Sequence, residues 1–568
     1  MKKVISKIKS NKIVFILILS FLLNIGGLFY AYPILHLVWD ETTVMGATLK
    51  MVNNYSLRPA FAEFYHFALG VYIYLPFYLV FFLILFIFGI IHSIDELRRM
   101  IILDFASFKM LLPIARFISV MAGCWSVYLV YKISNLLFKE YKKVSLWAAF
   151  LTATSLMLVQ LSHFGRIWII QVWAILLGFY YLVWLLVKKK DKLINYLLAA
   201  FLVAIAFGLH GVGIILYFPF LFVHYHLNRD KKIINIFIKN KKFWLANLVI
   251  LLLIGFFFFL NPYGYHNYYS NGLVKAITGE FNPAKNDPNY NSLTYSISFL
   301  LEYEPLLIIL FLISLPILFL KQRRNLYLLL CFIVPYYLFL VPILKIDQAR
   351  YIAPIIPFLG IIAAYGFVQI IERLSSRLFK YALIILFSLL FLLMPVYWNI
   401  SLFKPNTYVL TKNWIEDNLV SGQSIISFDP HLVLNEDRKT IEVIEEYMPE
   451  SMNARRKYLL TIDEKSYSQP NYFILYQPNS ALLARLPDDF LSQNKFDYLV
   501  IFWWHNQDFR QMKQNMLNFN YQLELVQKFY PNQDNLELTD LVNNMRRPFW
   551  LLRNIRYTGP YIEIYKIN

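Results

Sequence analysis

The sequence contains few charged residues and almost no cysteine. Charged residues account for 16% and hydrophobic residues for 58% of the 568 residues, and the mean hydropathy of +0.50 excludes an ordinary soluble protein. Cys124 and Cys331 both lie inside apolar runs, which excludes a disulfide framework and a thiolate metal site. The sequence also lacks a Walker loop, a dinucleotide-binding glycine pattern and a His-Glu-x-x-His motif, so none of these cofactor sites is predicted.

Basic residues give the chain a formal net charge of +19, but their distribution is not that of a nucleic-acid-binding surface. They cluster in short loops between long apolar runs, and such Lys- and Arg-rich loops face the cytoplasm in membrane proteins. The predicted cytoplasmic loops are 139–143, 188–192, 228–242, 321–324 and 372–380. The sequence therefore predicts a protein embedded in the lipid bilayer, without a nucleic-acid partner.

The apolar runs are long enough to cross a bilayer core of about 30 Å as helices. The first run, 13–32, lacks the small-residue cleavage site of a signal peptide, so we predict a retained helix with a cytoplasmic N-terminus. Further spans are predicted at about 113–137, 145–161, 167–187, 194–209, 211–226, 243–260, 298–320, 325–343, 351–371 and 380–399. The predicted fold class is a polytopic all-α membrane bundle of about eleven spans.

The apolar run 68–92 conflicts with this count. The first helix already carries the chain to the outer side, and residues 113–137 must start there. We therefore predict that 68–92 is a re-entrant or interfacial outer segment, bent near Pro76 and packed against protein. The rival interpretation is a true span, with Arg98 and Arg99 inside and one later span lost.

This topology places four polar-rich segments on the outer face: the first loop 33–112, the turn 162–166, the loop 261–297 and the connector 345–350. Chemistry is predicted where these segments converge. Asp40 and Glu41 stand in the first of them. Carboxylates so close to hydrocarbon usually face an aqueous cavity and have a function there; the alternative is a solvated loop with two acids.

Long apolar runs stop at Ser401, and charged and amide residues become frequent. The patterns predict a helix at Thr411–Asn418 with Thr411 as its cap, and a second helix at Gln507–Leu517. Strands are predicted at Ser424–Phe428, Tyr472–Tyr476 and Tyr498–Trp503. Residues 1–400 are therefore predicted to be a membrane domain, and 401–568 a C-terminal extracytoplasmic α/β domain with its C-terminus outside.

Four stretches, in this order, carry a resemblance to a known family. A hydrophobic helix leads into Asp40-Glu41 and an outer loop, residues 112–166 close on Ser-His-Phe-Gly-Arg, residues 349–357 read Ala-Arg-Tyr-Ile-Ala-Pro-Ile-Ile-Pro, and residues 406–418 lead into the outer domain. Over residues 10–430 the chain resembles the GT-C class of integral-membrane glycosyltransferases. The motifs are similar to those of the dolichyl-phosphate-mannose–protein mannosyltransferases and their bacterial relatives, including the lipid A aminoarabinose transferase type.

The resemblance implies inverting transfer of a sugar from a polyprenyl-phosphate-linked donor to a protein, lipid or glycan acceptor on the outer face of the membrane. It makes Asp40 the general base. The chemistry needs such a group because an acceptor hydroxyl is a poor nucleophile until it loses its proton. Glu41 would orient the acceptor or adjust the charge of Asp40; the alternative is a solvated neighbour.

The leaving group would be a lipid phosphate, which requires cations at the same surface. Guanidinium forks match phosphate oxygens bidentately, so Arg350, followed by Tyr351, and Arg166 are the predicted substrate-binding residues. The alternative for both arginines is a snorkelling role at the end of a span. His163 could hydrogen-bond the phosphate or the acceptor, or it could simply be packed.

The chain departs from the family pattern at two places. Tyr65 and His66 stand where relatives carry a His/Tyr-Pro-Pro stretch, but the tandem prolines are missing; both remain candidate substrate-binding residues. Trp168 stands where relatives often have an aspartate, in a region where some GT-C enzymes hold a divalent metal. With only Asp40 and Glu41 nearby, a site of oxygen ligands is poorly supplied, so we predict transfer without a metal or other cofactor.

Two other function classes fit parts of the sequence. A transporter would need charges or broken helices at mid-bilayer in paired halves, whereas the predicted spans are nearly free of charge and the halves show no evident symmetry. A non-catalytic envelope protein that binds lipid-linked sugars would keep the fold and lose the base, but Asp40 is retained. The sequence therefore favours the enzyme.

Overall fold

The structure is a computed structural model of the chain. It describes residues 12–30, 41–59, 69–103, 105–263, 291–340, 349–428, 432–476, 490, 494–503, 522–531 and 556–568. The predicted site residues Asp40, Tyr65 and His66 and the helix predicted at Gln507–Leu517 lie outside these ranges. Two compact units make up the chain: Met1–Leu28, Asp40–Phe81 and Leu112–Asn399 form the first, and Phe29–Trp39, Phe82–Leu111 and Ile400–Asn568 form the second.

Helices dominate the chain up to residue 402, as expected where a bilayer offers backbone groups no water to bond. In chain order they are α1 (Lys12–Ile25), α2 (Glu41–Asn53), α3 (Leu69–Ile87), α4 (Ile94–Leu103), α5 (Phe105–Leu137), α6 (Lys142–Ala153), α7 (Leu156–Ser162), α8 (Ile167–Lys188), α9 (Leu193–Leu209), α10 (Tyr217–Leu227), α11 (Ile233–Phe237), α12 (Lys241–Leu260), α13 (Ser292–Tyr303), α14 (Pro305–Pro335), α15 (Ile356–Arg373) and α16 (Arg377–Leu402). Short 3₁₀ segments, Gly211–Leu216 and Ala349–Ile355, precede α10 and α15.

Seven of the described helices are long and apolar enough to cross a membrane. They are Leu69–Ile87, Met110–Leu137, Ile167–Lys188, Lys241–Leu260, Pro305–Leu338, Ala349–Arg373 and Arg377–Leu402. The pair α6 and α7, bent by 59°, makes an eighth candidate if it is one span. Shorter apolar helices include α1, α9 and Gly211–Leu227. The chain is therefore a multi-pass, mostly helical membrane protein, as predicted.

Two helices bear directly on the predicted spans. α3 contains Pro76 without an interruption, and its 19 residues match the length of a true span, the rival interpretation of 68–92. In α14 the helix is interrupted at Gln322, whose backbone angles are not helical (φ −142°, ψ 47°). This kink falls within the basic stretch 321–324, where the sequence predicts a loop between two spans.

The described residues of the second unit include a five-stranded sheet with strand order β2-β1-β3-β5-β4. The strands are β1 (Ser424–Ser427), β2 (Phe473–Tyr476), β3 (Tyr498–Trp503), β4 (Leu523–Phe529) and β5 (Tyr561–Ile567). β1 pairs in parallel with β2 and β3, whereas β5 is antiparallel to β3 and β4. The α-helices that the structure describes after residue 402 are α17 (Thr407–Asn418), α18 (Arg438–Tyr447) and α19 (Ala454–Leu459).

Side chains of the sheet alternate between two apolar clusters, as the period of two residues in a strand requires. Ile426 belongs to one cluster, with Leu499 and Tyr565, and Ile425 belongs to the other, with Val500 and Ile564. The three predicted strands are confirmed within one residue at either end. The unit is an α/β arrangement, since helices and both parallel and antiparallel strands are combined in one sheet domain.

The cap predicted for the helix at Thr411–Asn418 is wrong. α17 begins at Thr407, and the Asn406 side chain accepts a hydrogen bond from the Tyr408 N–H at 2.9 Å. Thr411 lies inside the helix and is buried. Asn is among the strongest N-cap residues, and Asn406 stands five residues before the predicted cap, Thr411.

Close helix packing in the first unit depends on Gly366 in α15. A Cβ atom there would stand 1.9 Å from Ser314 Oγ and 2.7 Å from Ser314 Cα of α14. The Ser314 hydroxyl in turn lies 2.6 Å from the Leu310 carbonyl oxygen and 3.2 Å from that of Ala363. Small residues of this kind let membrane helices approach one another closely, so α14 and α15 have no room for a methyl group.

Replacing Gly366 by Ala is expected to destabilise the protein by about 1–3 kcal/mol, because an added methyl group in a packed core forces neighbours apart. The measurement is thermal unfolding in detergent, followed by loss of monodisperse protein. Gly255→Ala is the matched control, since a Cβ at Gly255 meets nothing within 4 Å. Equal melting temperatures of the two variants would contradict the prediction.

Candidate functional site

A buried ion pair joins Glu41, at the first turn of α2, to Arg116 in α5. Arg116 Nε donates to Glu41 Oε1 at 2.9 Å, and its Nη2 donates to Oε2 at 2.9 Å. Each residue is only 2% exposed. Bidentate pairing of a guanidinium with a carboxylate is the strongest geometry available to the two groups, and without it two buried charges would be costly.

Further hydrogen bonds attach two more segments to this pair. The backbone N–H of Gly165 donates to Glu41 Oε1 at 2.6 Å. Arg116 Nη1 lies 3.3 Å from the carbonyl oxygen of Leu28 and 3.5 Å from that of Gly27, just beyond α1. The ion pair therefore holds together the end of α1, the start of α2, the middle of α5 and the turn that precedes α8.

The turn before α8 can approach α5 because residue 165 is a glycine. A Cβ atom at Gly165 would stand 2.7 Å from Ala115 Cβ, closer than side-chain atoms tolerate. It would also lie 3.5 Å from the backbone nitrogen of Arg116. The missing side chain thus lets the Gly165 N–H reach the Glu41 carboxylate, and it ties the Ser-His-Phe-Gly-Arg motif to the Asp-Glu motif.

Asp40, the predicted base, lies outside the described residues, but its neighbour Glu41 does not. Three hydrogen bonds hold the Glu41 carboxylate, and α2 begins at this residue. The alternative of a solvated Glu41 is wrong, because the side chain is buried and paired with Arg116. Its predicted role toward Asp40 or the acceptor stays a prediction.

His163 is completely buried in the same turn. Its Nδ1 lies 2.6 Å from the Val159 carbonyl oxygen, to which it donates, and its Nε2 lies 3.2 Å from Asn399 Oδ1. Burial lowers the pKa of His163 to about 4, so the ring is neutral at pH 7. Both ring nitrogens of His163 face protein atoms, as expected for the alternative in which this residue is simply packed. Its contact with the phosphate or the acceptor stays a prediction.

Arg166 ends the turn and precedes α8. It is 2% exposed, and its backbone is extended (φ −108°, ψ 154°), as expected for the residue before a helix. The Ser119 hydroxyl of α5 lies 3.5 Å from the Arg166 carbonyl oxygen. A snorkelling role at a span end requires a head group in water, and burial of Arg166 excludes it; phosphate binding stays a prediction.

A second cluster combines Arg350 with three aromatic rings. Arg350 Cζ lies 5.8 Å from the centroid of the Trp168 ring and 5.9 Å from that of Tyr351. The Trp168 centroid lies 4.8 Å from that of Tyr351 and 4.5 Å from that of His210. Trp168 and His210 are buried, whereas Arg350 and Tyr351 are half-buried. These distances are those of cation–π contacts and of packed rings.

The two clusters meet in one short stretch of chain. Gly165 bonds Glu41, and Trp168, three residues further on, contacts Arg350 and Tyr351. The contacts of the two clusters thus involve three of the four segments that were predicted to converge: the first loop, the turn 162–166 and the connector before α15. Residues 264–290 of the fourth segment lie outside the described ranges.

Sequence reasoning missed Arg116, Trp168 as a ring partner, and His210. A signal for Arg116 was available, because a charge inside an apolar run of membrane helix normally has a partner or a function. His210 follows α9 directly, and its Nδ1 accepts a hydrogen bond from the Val212 N–H at 3.4 Å. Nothing in the sequence relates His210 to Trp168, because only packing brings the two rings together.

A divalent metal would need several hard ligands, and the described residues do not fit one. Within the described ranges there is no group of three or more His, Cys, Asp or Glu residues that could hold a metal ion. Both oxygens of the Glu41 carboxylate already accept hydrogen bonds, and residue 168 is a tryptophan.

Solved structures of two membrane proteins are similar to this chain. ArnT from Cupriavidus metallidurans bound to undecaprenyl phosphate matches with 11% identity and a TM-score of 0.49, over 91% of this chain and 95% of that one. The same protein in the apo state matches with 14% identity and a TM-score of 0.42, over 66% of this chain and 62% of that one; this chain thus spans less than two thirds of that structure.

The second protein is the archaeal oligosaccharyltransferase AglB from Archaeoglobus fulgidus, in complex with an inhibitory peptide and a dolichol-phosphate. It matches with 13% identity and a TM-score of 0.42, over 87% of this chain and 69% of that one. ArnT and AglB are GT-C glycosyltransferases, the class that the sequence motifs resemble. No family model matches the sequence, and no curated protein does.

Removing one partner of the buried ion pair is expected to destabilise the protein strongly. Glu41→Gln leaves the Arg116 charge buried without its carboxylate, which typically costs about 3–5 kcal/mol. Glu41→Gln combined with Arg116→Gln is expected to cost less than the two single changes together. The measurement is the unfolding free energy in detergent.

The matched control for this prediction is Glu372→Gln. The Glu372 carboxylate pairs with Lys143 at 3.1 Å, but the two side chains are 41% and 69% exposed, so the loss should be below about 1 kcal/mol. Equal stability of Glu41→Gln and Glu372→Gln would show that the buried pair does not hold the fold together.

Proposed function

We propose that this protein transfers a sugar from a polyprenyl-phosphate carrier to a hydroxyl group of a protein, lipid or glycan acceptor, at the outer face of the membrane. The observation that carries the proposal is the stretch 165–168. The Gly165 N–H of this stretch donates to the carboxylate of Glu41 in the Asp-Glu motif, and the Trp168 ring contacts Arg350. A carboxylate base and a phosphate-binding cation are the two groups that such a transfer requires.

Asp40 acts as the general base in this proposal. Its carboxylate takes the proton of the acceptor hydroxyl as the acceptor oxygen bonds to the anomeric carbon of the sugar. The bond from that carbon to the phosphate oxygen breaks on the opposite side, and the electron pair leaves with the phosphate. The configuration at the anomeric carbon is thereby inverted.

Arg350 stabilises the negative charge that develops on the leaving phosphate, helped by Tyr351 beside it. Donors fixed in advance at such a position act strongly because the surroundings exclude water. Glu41 is a positioning residue: its bonds to Arg116 and Gly165 hold the segment to which Asp40 is attached. His163 and Arg166, both buried, support the same turn.

Asp40→Asn is expected to lower turnover by about 10²- to 10⁴-fold, because the amide keeps the size of the side chain and cannot take up a proton. Transfer is measured in membranes at matched expression, with a panel of polyprenyl-phosphate-linked hexoses and pentoses as donors. Asp95→Asn is the control, since Asp95 is an exposed acid that forms an ion pair with Arg98.

Near-normal turnover of Asp40→Asn would overturn the assignment of the base. Binding of polyprenyl phosphate without transfer from any donor would instead indicate the non-catalytic alternative. Affinity for polyprenyl phosphate should be little changed in Asp40→Asn, because the carboxylate acts on the acceptor and not on the phosphate.

The outer location is tested by single cysteines in a Cys124→Ala, Cys331→Ala background. Cysteines introduced by Asn53→Cys, Met100→Cys, Tyr290→Cys and Glu450→Cys are expected to react with an impermeant thiol reagent from outside the cell. Cysteines introduced by Tyr141→Cys and Gln322→Cys should react only after permeabilisation, since they lie in or next to basic loops. Labelling of position 100 only after permeabilisation would make α3 a true span and place its following residues inside.

A further inference from the structure

The basic loop 228–242, between α10 and α12, combines positive charge with exposed apolar side chains. It contains six basic residues and one acid, which give it a formal net charge of +5. Lys242 pairs with Asp191 at 2.8 Å and so attaches this loop to the basic loop 188–192. The six basic residues are Arg229, Lys231, Lys232, Lys239, Lys241 and Lys242, and the acid is Asp230.

The short helix α11, in the middle of this loop, is fixed to the membrane helices on one side. His224 Nε2 of α10 donates to the Ile236 carbonyl oxygen at 2.8 Å, and His224 Nδ1 lies 2.9 Å from the Tyr196 hydroxyl of α9. The Ile236 side chain is buried, and the Phe237 ring centroid lies 5.6 Å from that of Phe243 in α12. These contacts with α9, α10 and α12 determine which side of α11 faces outward.

The outward side of α11 is apolar. Ile233, Ile234 and Ile238, in α11 and just after it, are 69%, 57% and 65% exposed. The three side chains form one exposed patch on a helix that is held in place, and contiguous exposed apolar patches usually mark an interaction surface. Lysines stand at both ends of this patch, with Lys232 before it and Lys239 after it.

The patch continues into the exposed face of α12, a helix long and apolar enough to cross the membrane. The Trp244 indole N–H in the first turn of α12 donates to the Ile238 carbonyl oxygen at 2.9 Å. Trp244, Leu248 and Leu251 are all exposed, and their spacing of four and three residues places them on one helix face. Tryptophan is enriched at the membrane–water interface, so the patch lies at the depth where the lipid-facing surface of α12 ends.

We propose that the loop 228–242 is a binding site for anionic phospholipid head groups of the leaflet that the basic loops face. The three isoleucines enter the boundary of the acyl chains, and the flanking lysines bind the head-group phosphates. Basic residues beside an exposed apolar face are typical of segments that lie in the membrane interface, and basic clusters next to a membrane span attract anionic lipids.

Charge selects this occupant over a second copy of the chain. A symmetric contact between two copies would place the same surface of each against the other, so two loops of charge +5 would face one another. An anionic leaflet has the complementary charge, and it is continuous with the lipid that surrounds α12. The proposal does not depend on sugar transfer.

The test places a small environment-sensitive fluorophore on the full-length protein in nanodiscs, at a cysteine introduced by Asn235→Cys in the Cys124→Ala, Cys331→Ala background. Asn235 is exposed in α11, and its replacement leaves the three isoleucines intact. Lipids brominated on their acyl chains quench the label only on contact. Half-quenching should need about 5-fold less brominated phosphatidylglycerol than brominated phosphatidylcholine, because one basic residue near an anionic surface contributes about that factor.

The preference for phosphatidylglycerol is expected to come from the lysines. Replacing Lys232, Lys239 and Lys241 together by Gln should reduce the ratio of the two half-quenching concentrations to below about 2-fold. The same ratio should fall in the original protein at about 1 M salt, where charges are screened beyond about 3 Å. The matched control removes the same charge from exposed positions in the second unit: Lys457→Gln, Lys465→Gln and Lys495→Gln.

Quenching itself is expected to depend on the isoleucines. Replacing Ile233, Ile234 and Ile238 together by Ser should reduce quenching by both lipids, because the apolar area that enters the acyl region is lost. These side chains are exposed, so the changes leave the packed side of α11 intact. Thermal unfolding in detergent should therefore match that of the original protein.

Four results would overturn the proposal. The first is equal quenching by the two lipids, and the second is a loss of preference in the control as large as that in the triple variant of the loop. The third is a label that no brominated lipid quenches and that iodide in the water reaches freely. The fourth is concentration-dependent dimerisation that the Ile→Ser changes abolish without any change in lipid quenching, which would make the patch a contact between copies.

Discussion

The buried ion pair of Glu41 and Arg116 is the interaction on which the arrangement of the candidate site depends. Withdrawing two charges from water costs several kcal/mol for each ion, and only good geometry with additional hydrogen bonds offsets that cost. Here the carboxylate accepts two bonds from the guanidinium and one from the Gly165 N–H. Because these contacts come from segments far apart in the chain, satisfying the two charges fixes those segments relative to one another.

The two arginines of the candidate site have different surroundings. Arg116 is buried and pairs with Glu41, whereas the guanidinium carbon of Arg350 lies within 6 Å of the ring centroids of Trp168 and Tyr351. In the proposed mechanism, a cation held in a fixed position would act on the leaving phosphate without rearrangement during the reaction.

Local patterns predicted elements well and failed where a neighbour decided the outcome. The strand at Tyr498–Trp503 has the predicted bounds, because β-branched and aromatic residues in a short run are a local signal. The sequence pattern predicted Thr411 as the helix cap, whereas the observed cap is Asn406. The pattern does not show that α17 begins so soon after the preceding helix. The break predicted at 321–324 is a kink at Gln322, and α3 is an uninterrupted helix despite Pro76.

The sequence by itself determined the membrane class, most helices and the Asp-Glu, Ser-His-Phe-Gly-Arg and Arg-Tyr motifs, because hydropathy, loop charge and motif spacing are properties of neighbouring residues. Only the tertiary structure decided which side chains are partners. Glu41 meets Arg116 across 75 positions and Gly165 across 124, and the rings of Trp168, His210 and Tyr351 come from three separate segments. No local pattern encodes such contacts, since they arise from helix packing and from the need to pair buried charges.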